Sequence, residues 1–179
     1  MHPDCERILL SEETIQARVK EIAAQLDKLY EGRKPVVVCI LKGSVVFFVD
    51  LIRNMQTPCE LDFMSVSSYG AGTTSTGELK IKKDLAANIE GRDVLIVEDI
   101  IDSGNTLYHL KKLLNGRRPA SVNIVTLLDK PARRQVPMEP EYTGFEIEDE
   151  FVIGYGLDYA ENYRNLPYVG ILKRSVYEK

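Results

Sequence analysis

The stretch Val94-Leu95-Ile96-Val97-Glu98-Asp99-Ile100-Ile101-Asp102-Ser103-Gly104-Asn105-Thr106-Leu107 decides how this chain folds. Its first four residues are aliphatic with no polar alternation, which predicts a strand buried on both faces that ends in two adjacent carboxylates. The turn that follows offers Asp102, small residues and hydroxyls, and runs straight into a helix expected from about Thr106 to Asn115, stopped by Gly116. In parallel α/β sheets, ligands sit beyond the carboxyl ends of the strands, where this turn must lie. Backbone N–H groups at Ser103, Gly104, Asn105 and Thr106 would converge at the helix N-terminus. The helix dipole and the Ser103 and Thr106 hydroxyls would help them cradle a phosphate. Glu98 and Asp99 repel phosphate but suit a vicinal sugar diol, with a Mg²⁺ ion nearby to balance their charge. For any single carboxylate, a strand end or helix cap is explanation enough. The strand, turn and helix together describe a ribose 5-phosphate site.

Outward from this segment the pattern repeats. Residues 11–31 carry Ile15, Val19, Ile22, Leu26 and Leu29 at helical spacing, with Ser11 as N-cap and Gly32 as stop. Pro35 to Leu41 predicts a second doubly buried strand, Ser44 to Met55 a helix, 59–66 a strand and Ser121 to Leu128 another. The stretch from Tyr142 to Tyr155 is strand-like. Alternating strands and helices predict an α/β fold, a mainly parallel twisted sheet flanked by helices, in one domain spanning 1–179. Residues 67–78 hold three glycines and seven hydroxyl-bearing residues. They bury too little apolar area to fix themselves and read as a mobile lid loop.

With 44% apolar and 28% charged residues the chain has enough material for a core. A net charge of −4 without a basic stripe argues against nucleic-acid binding. The apolar run Val36 to Val49 is interrupted by Lys42 and ended by Asp50, too short for a membrane span. Cys5, Cys39 and Cys59 support neither a disulfide framework nor a zinc site. No signal peptide is evident at the first residues, and a cytoplasmic location is expected.

The run from Val94 to Leu107 resembles the signature by which type I phosphoribosyltransferases bind 5-phosphoribosyl-1-pyrophosphate (PRPP). The segments Leu41-Lys42-Gly43-Ser44, Ser68-Tyr69-Gly70, Leu127-Leu128-Asp129-Lys130 and Gly144 to Arg164 extend the likeness to hypoxanthine-guanine phosphoribosyltransferases, especially short bacterial ones. The resemblance implies a small hood over the sheet, built from the N-terminal segment and roughly residues 130–179. It also implies Mg²⁺-dependent transfer of the phosphoribosyl group to hypoxanthine or guanine, giving IMP or GMP and pyrophosphate, by a homodimer or homotetramer.

Roles carried over by the resemblance are as follows. Glu98, Asp99, Asp102, Ser103, Gly104, Asn105 and Thr106 would hold ribose and phosphate, with Asp102 the general base for the purine proton. Lys42, Gly43, Ser68, Tyr69 and Arg164 would receive pyrophosphate, and in relatives the Lys42–Gly43 peptide can be cis. Lys130 would donate to the purine 6-oxo group, since an ammonium is a donor only. Phe151 would stack on the base, Val152 would meet its edge, and Asp158 beside them would join Glu98 and Asp99 in holding Mg²⁺. His2 and His109 are given no role. A PRPP-sensing regulator of the same fold and a xanthine-preferring transferase stand as alternatives.

Overall fold

The computed structural model of the chain describes residues 1–68 and 79–178. The main sheet begins with β2 (Val36–Ile40), reached through α1 (Glu12–Leu29), and continues through α2 (Val45–Asn54) to β3 (Glu60–Ser68). Next come β4 (Leu79–Lys83), β5 (Asp93–Ile101), α3 (Asn105–Asn115), β6 (Ser121–Asp129) and β7 (Tyr142–Glu146). These six strands order as β4-β3-β2-β5-β6-β7, parallel throughout except for the antiparallel β3–β4 pair. A smaller antiparallel sheet joins β1 (Cys5–Leu10), β9 (Val169–Leu172) and β8 (Val152–Ile153), and α4 (Arg174–Tyr177) follows.

The doubly buried runs explain the layers. Along β2, Val37 and Cys39 pack with α1 and α2, whereas Val36, Val38 and Ile40 pack with α3, so both faces of the strand must be apolar. Leu95 and Val97 of β5 follow the first face, and Val94 and Ile96 the second. Ser11 caps α1 by accepting the Thr14 N–H, and of the expected face Ile15, Val19, Ile22 and Leu26 are fully buried while Leu29 is half-buried. No helix among the described residues is long and apolar enough to cross a membrane.

Three expectations need correction. β5 does not stop at Val97: its pairing with β6 continues through Glu98, Ile100 and Ile101, so both carboxylates lie within the strand. The stretch from Tyr142 to Tyr155 splits between two sheets. β7 hydrogen-bonds alongside β6, the acidic bend Glu148-Asp149-Glu150 redirects the chain, and only β8 joins the small sheet. A hood taken from roughly residue 130 therefore includes a strand of the main sheet. The lid expected over 67–78 starts too early, because Ser67 and Ser68 pair with β4; the remainder, with Tyr69, lies outside the described residues.

The two sheets are bolted together by polar contacts. The Tyr155 hydroxyl donates to Asp50 of α2 at 2.6 Å, and Gln16 of α1 donates to the same oxygen at 2.7 Å. This fixes the segment after β8 over the carboxyl end of β2, which is what brings residues from both sheets to one cleft.

Candidate active site

At the carboxyl ends of β2 and β5, a cavity of about 260 Å³ is lined by Gly43, Glu98, Asp99, Asp102, Ser103, Gly104 and Thr106 among others. Gly104 caps α3 with φ of +81°, a left-handed conformation that glycine adopts without strain. A Cβ there would also lie 2.8 Å from the Arg134 side chain, so glycine is required twice over. The first-turn N–H groups of α3 have no partner within the helix and open toward this cavity. Among them, the Asn105 N–H leans on the Ser103 hydroxyl at 3.3 Å. The Asn105 side-chain amide bridges the Ser103 hydroxyl at 3.2 Å and Gln135 at 2.9 Å, which steadies the turn.

Glu98 is 9% exposed and Asp99 is half-buried. Burial pushes the Glu98 carboxyl well above the usual carboxylate range, and the neighbouring Asp99 charge adds to it. Burial also raises Asp99, against the pull of the hydrogen bonds it accepts, including the Ile100 N–H at 2.7 Å. Two adjacent buried carboxyls pushed upward make a hard-oxygen site that favours cations and sugar hydroxyls.

A second cavity, about 510 Å³, shares Asp99, Ile100 and Asp102 with the first. Its other walls include Lys130, Arg133, Asp149, Phe151, Val152, Leu157, Asp158 and Tyr177. Lys130 is 8% exposed. It donates to the Glu150 carbonyl at 2.7 Å and faces Asp149 at 3.4 Å, which leaves one of its three protons for a ligand. Phe151 is not core: it stays 37% exposed at the cavity wall. Val152 is buried in β8 beside it.

The residues expected at pyrophosphate are brought together less directly. Gly43 lines the first cavity with its Cα against Asp99. Lys42 is tied to Glu161 at 3.1 Å, and Arg164 reaches Asp158 at 2.9 Å and the Gly156 carbonyl at 2.8 Å. The cis peptide lies one bond earlier than the one the resemblance pointed to, at Leu41–Lys42, and the glycine at 43 answers to the close approach of the Asp99 carboxylate. Asp158 shares the second cavity with Asp99 but is engaged by Arg164 and by the Glu161 N–H. Among the described residues, Glu98, Asp99 and Asp158 do not form a three-carboxylate metal cluster.

Four residues escaped the reading of the sequence. Arg133 pairs with both Asp102 and Asp149, and Arg134 pairs with Asp129 while donating to the Asp102 carbonyl at 2.8 Å. Together they brace the acidic turn from the far side. Tyr177 and Asp149 complete the second cavity. The basic run Arg133-Arg134, just past a strand end at the same sheet edge as the acidic turn, was the available signal.

The family model for the phosphoribosyl transferase domain matches residues 8–160. The chain is 54% identical to a Bacillus subtilis hypoxanthine-guanine phosphoribosyltransferase, covering 99% of each chain. It is 56% identical to a Listeria innocua bifunctional protein TilS/HprT, but spans only 28% of that protein's length. A crystal structure of a hypoxanthine phosphoribosyltransferase from Staphylococcus aureus superposes with a TM-score of 0.97 at 55% identity, covering 100% of this chain and 97% of that one.

Proposed function

Because the chain belongs to the phosphoribosyl transferase domain family, we propose that it joins hypoxanthine or guanine to the ribose of PRPP, giving IMP or GMP and pyrophosphate. One observation carries this reading. A cavity lined by a helix N-terminus and the Glu98 and Asp99 carboxyls shares Asp99, Ile100 and Asp102 with a second cavity walled by an exposed phenyl ring and a buried ammonium.

In this assignment the N–H groups from Ser103 to Thr106 hold the 5-phosphate, and Glu98 and Asp99 accept from the ribose diol. The purine lies against Phe151 and turns its 6-oxo group to the free proton of Lys130, with its edge toward Val152. A purine ring nitrogen attacks the ribose C1 as the bond to pyrophosphate breaks. Positive charge on the sugar in the transition state is met by the carboxylates below it. Negative charge on the leaving group is met by Lys42, Arg164 and the backbone at Gly43. Asp102 stands where the two cavities meet and takes the proton from the purine. Arg133 and Arg134 hold that aspartate in place through its carboxylate and its carbonyl.

The buried Glu98–Asp99 pair fits Mg²⁺, which binds one or two protein carboxylates and completes its shell with water and substrate oxygens. Glu98 and Asp99 are the residues that would hold it, whereas Asp158, engaged by Arg164 and the Glu161 N–H, stands apart from them. When bound, it supplies charge neutralisation to the diphosphate. The family likeness also supports self-association as a dimer or tetramer. The three free thiols fit a reducing compartment such as the cytoplasm.

The test is direct. Purified protein is incubated with Mg²⁺, PRPP and each of hypoxanthine, guanine, xanthine and adenine, and nucleotides are separated by chromatography. IMP and GMP should form, with little AMP. Absence of product from every base would favour a PRPP-sensing role, and XMP as the main product would reassign the substrate.

A further inference from the structure

The second cavity has an aromatic wall built from two distant parts of the chain. Phe151 immediately precedes β8, and Tyr177 closes α4. Their rings stack with centroids 4.9 Å apart and planes inclined by 24°, while Tyr159 meets Phe151 edge-on at 5.5 Å. A phenyl ring covered on both faces would be buried, yet Phe151 keeps 37% of its surface exposed. Tyr177 therefore backs the ring by stacking and Tyr159 packs perpendicular to it, while part of the Phe151 ring stays open at the cavity wall.

We propose that Tyr177 is a positioning residue for the purine: it backs Phe151 and holds that ring as a ready-made platform before the base arrives. The inference rests on the assignment of Phe151 as the base-stacking residue. Its physical basis is preorganisation. An unbacked phenyl ring at the surface hops between rotamers, and a base binding to it must first immobilise it, which weakens binding. A ring already held by an offset stack and an edge contact has lost that freedom in the fold. The tyrosine hydroxyl plays no part in this, because only the ring stacks.

The test uses Tyr177→Ala, Tyr177→Phe and Phe151→Leu in the full chain, with KM measured separately for hypoxanthine, guanine and PRPP and a thermal melt on each protein. Tyr177→Ala should raise KM for both purines roughly three- to tenfold, equivalent to about 0.7–1.4 kcal/mol. Its KM for PRPP should stay within twofold. Tyr177→Phe should restore the purine KM, since it restores the ring.

A purine KM unchanged or lowered in Tyr177→Ala, or rising in step with that for PRPP, would overturn the proposal. Phe151→Leu separates two kinds of failure. If it raises the purine KM while Tyr177→Ala does not, the backing role alone is wrong. If neither variant moves it, Phe151 is not the seat of the base and the backing role falls with it.

Discussion

Replacing Gly43 by alanine tests how tightly the turn after β2 is fitted to the Asp99 carboxylate. A Cβ at position 43 would sit 1.7 Å from Oδ2 of Asp99, whereas ordinary contact begins at 3.4 Å. The carboxylate must then retreat by about 1.7 Å, the difference between those two values. Because Cγ, at 2.8 Å from that Cβ, must shift with Oδ2, the move strains the 2.7 Å hydrogen bond that Oδ1 accepts from the Ile100 N–H. A hydrogen bond to an ionised acceptor contributes roughly 1.5–3 kcal/mol. Loss on that scale lowers kcat/KM for PRPP about ten- to hundredfold. It lowers the melting temperature by about 3–12 °C for a domain of this size. The assay is initial-rate kinetics with PRPP varied at saturating hypoxanthine, paired with thermal unfolding. Asp99→Ala provides the second side of a double-mutant cycle, because it removes the atoms that Cβ would strike. In that background Gly43→Ala should cost almost nothing in melting temperature. An equal loss in both backgrounds, or an unchanged kcat/KM for PRPP in the single variant, would refute the reasoning.

Three further outcomes are expected. Asp102→Asn should reduce kcat about 10²- to 10⁴-fold while KM for PRPP stays near its original value; comparable losses in both would make Asp102 a binding residue. Lys130→Ala should lower kcat/KM for hypoxanthine and guanine about ten- to hundredfold and leave trace adenine use unaffected, so parallel losses would contradict the 6-oxo contact. At the surface, the Arg117 guanidinium holds the Asp84 carboxyl below its ordinary value of 3.8. A depressed carboxyl stabilises the fold above its unfolded pKa and loses that contribution as pH falls through the folded one. Asp84→Asn should therefore destabilise by at most ~1 kcal/mol at pH 7, since both partners are partly solvated, with the gap closing below pH ~4. Denaturant melts at both pH values would show it, and a gap that widens in acid would contradict the sign.

The parallel sheet was legible because its strands announce themselves. Val36 to Ile40 and Val94 to Val97 have no polar alternation, and only a strand buried on two faces tolerates that. The acidic turn was legible because a strand, an acidic bend, a glycine and a helix follow one another within the chain, so its geometry is local. β1 was not legible: Cys5-Glu6-Arg7-Ile8-Leu9-Leu10 carries two adjacent charges and shows no alternation, and it becomes a strand only by pairing with β9 at the other end of the chain. β4, Leu79-Lys80-Ile81-Lys82-Lys83, is a lysine-rich edge strand beside a glycine-rich segment, and the charges that protect an edge also hide it. Asp149 and Tyr177 carry no motif. They enter the site because the small sheet folds across the main one, a relation that no short window of sequence contains.

The most direct check on the whole account is a crystal structure of the protein with guanosine 5′-monophosphate. The phosphate should lie on the N–H groups of residues 103–106, the ribose hydroxyls on Glu98 and Asp99, and the guanine along Phe151 with its oxo group at Lys130. A nucleotide seated elsewhere, for instance against Tyr108 and Met138 on the outer side of α3, with the acidic turn vacant, would contradict it.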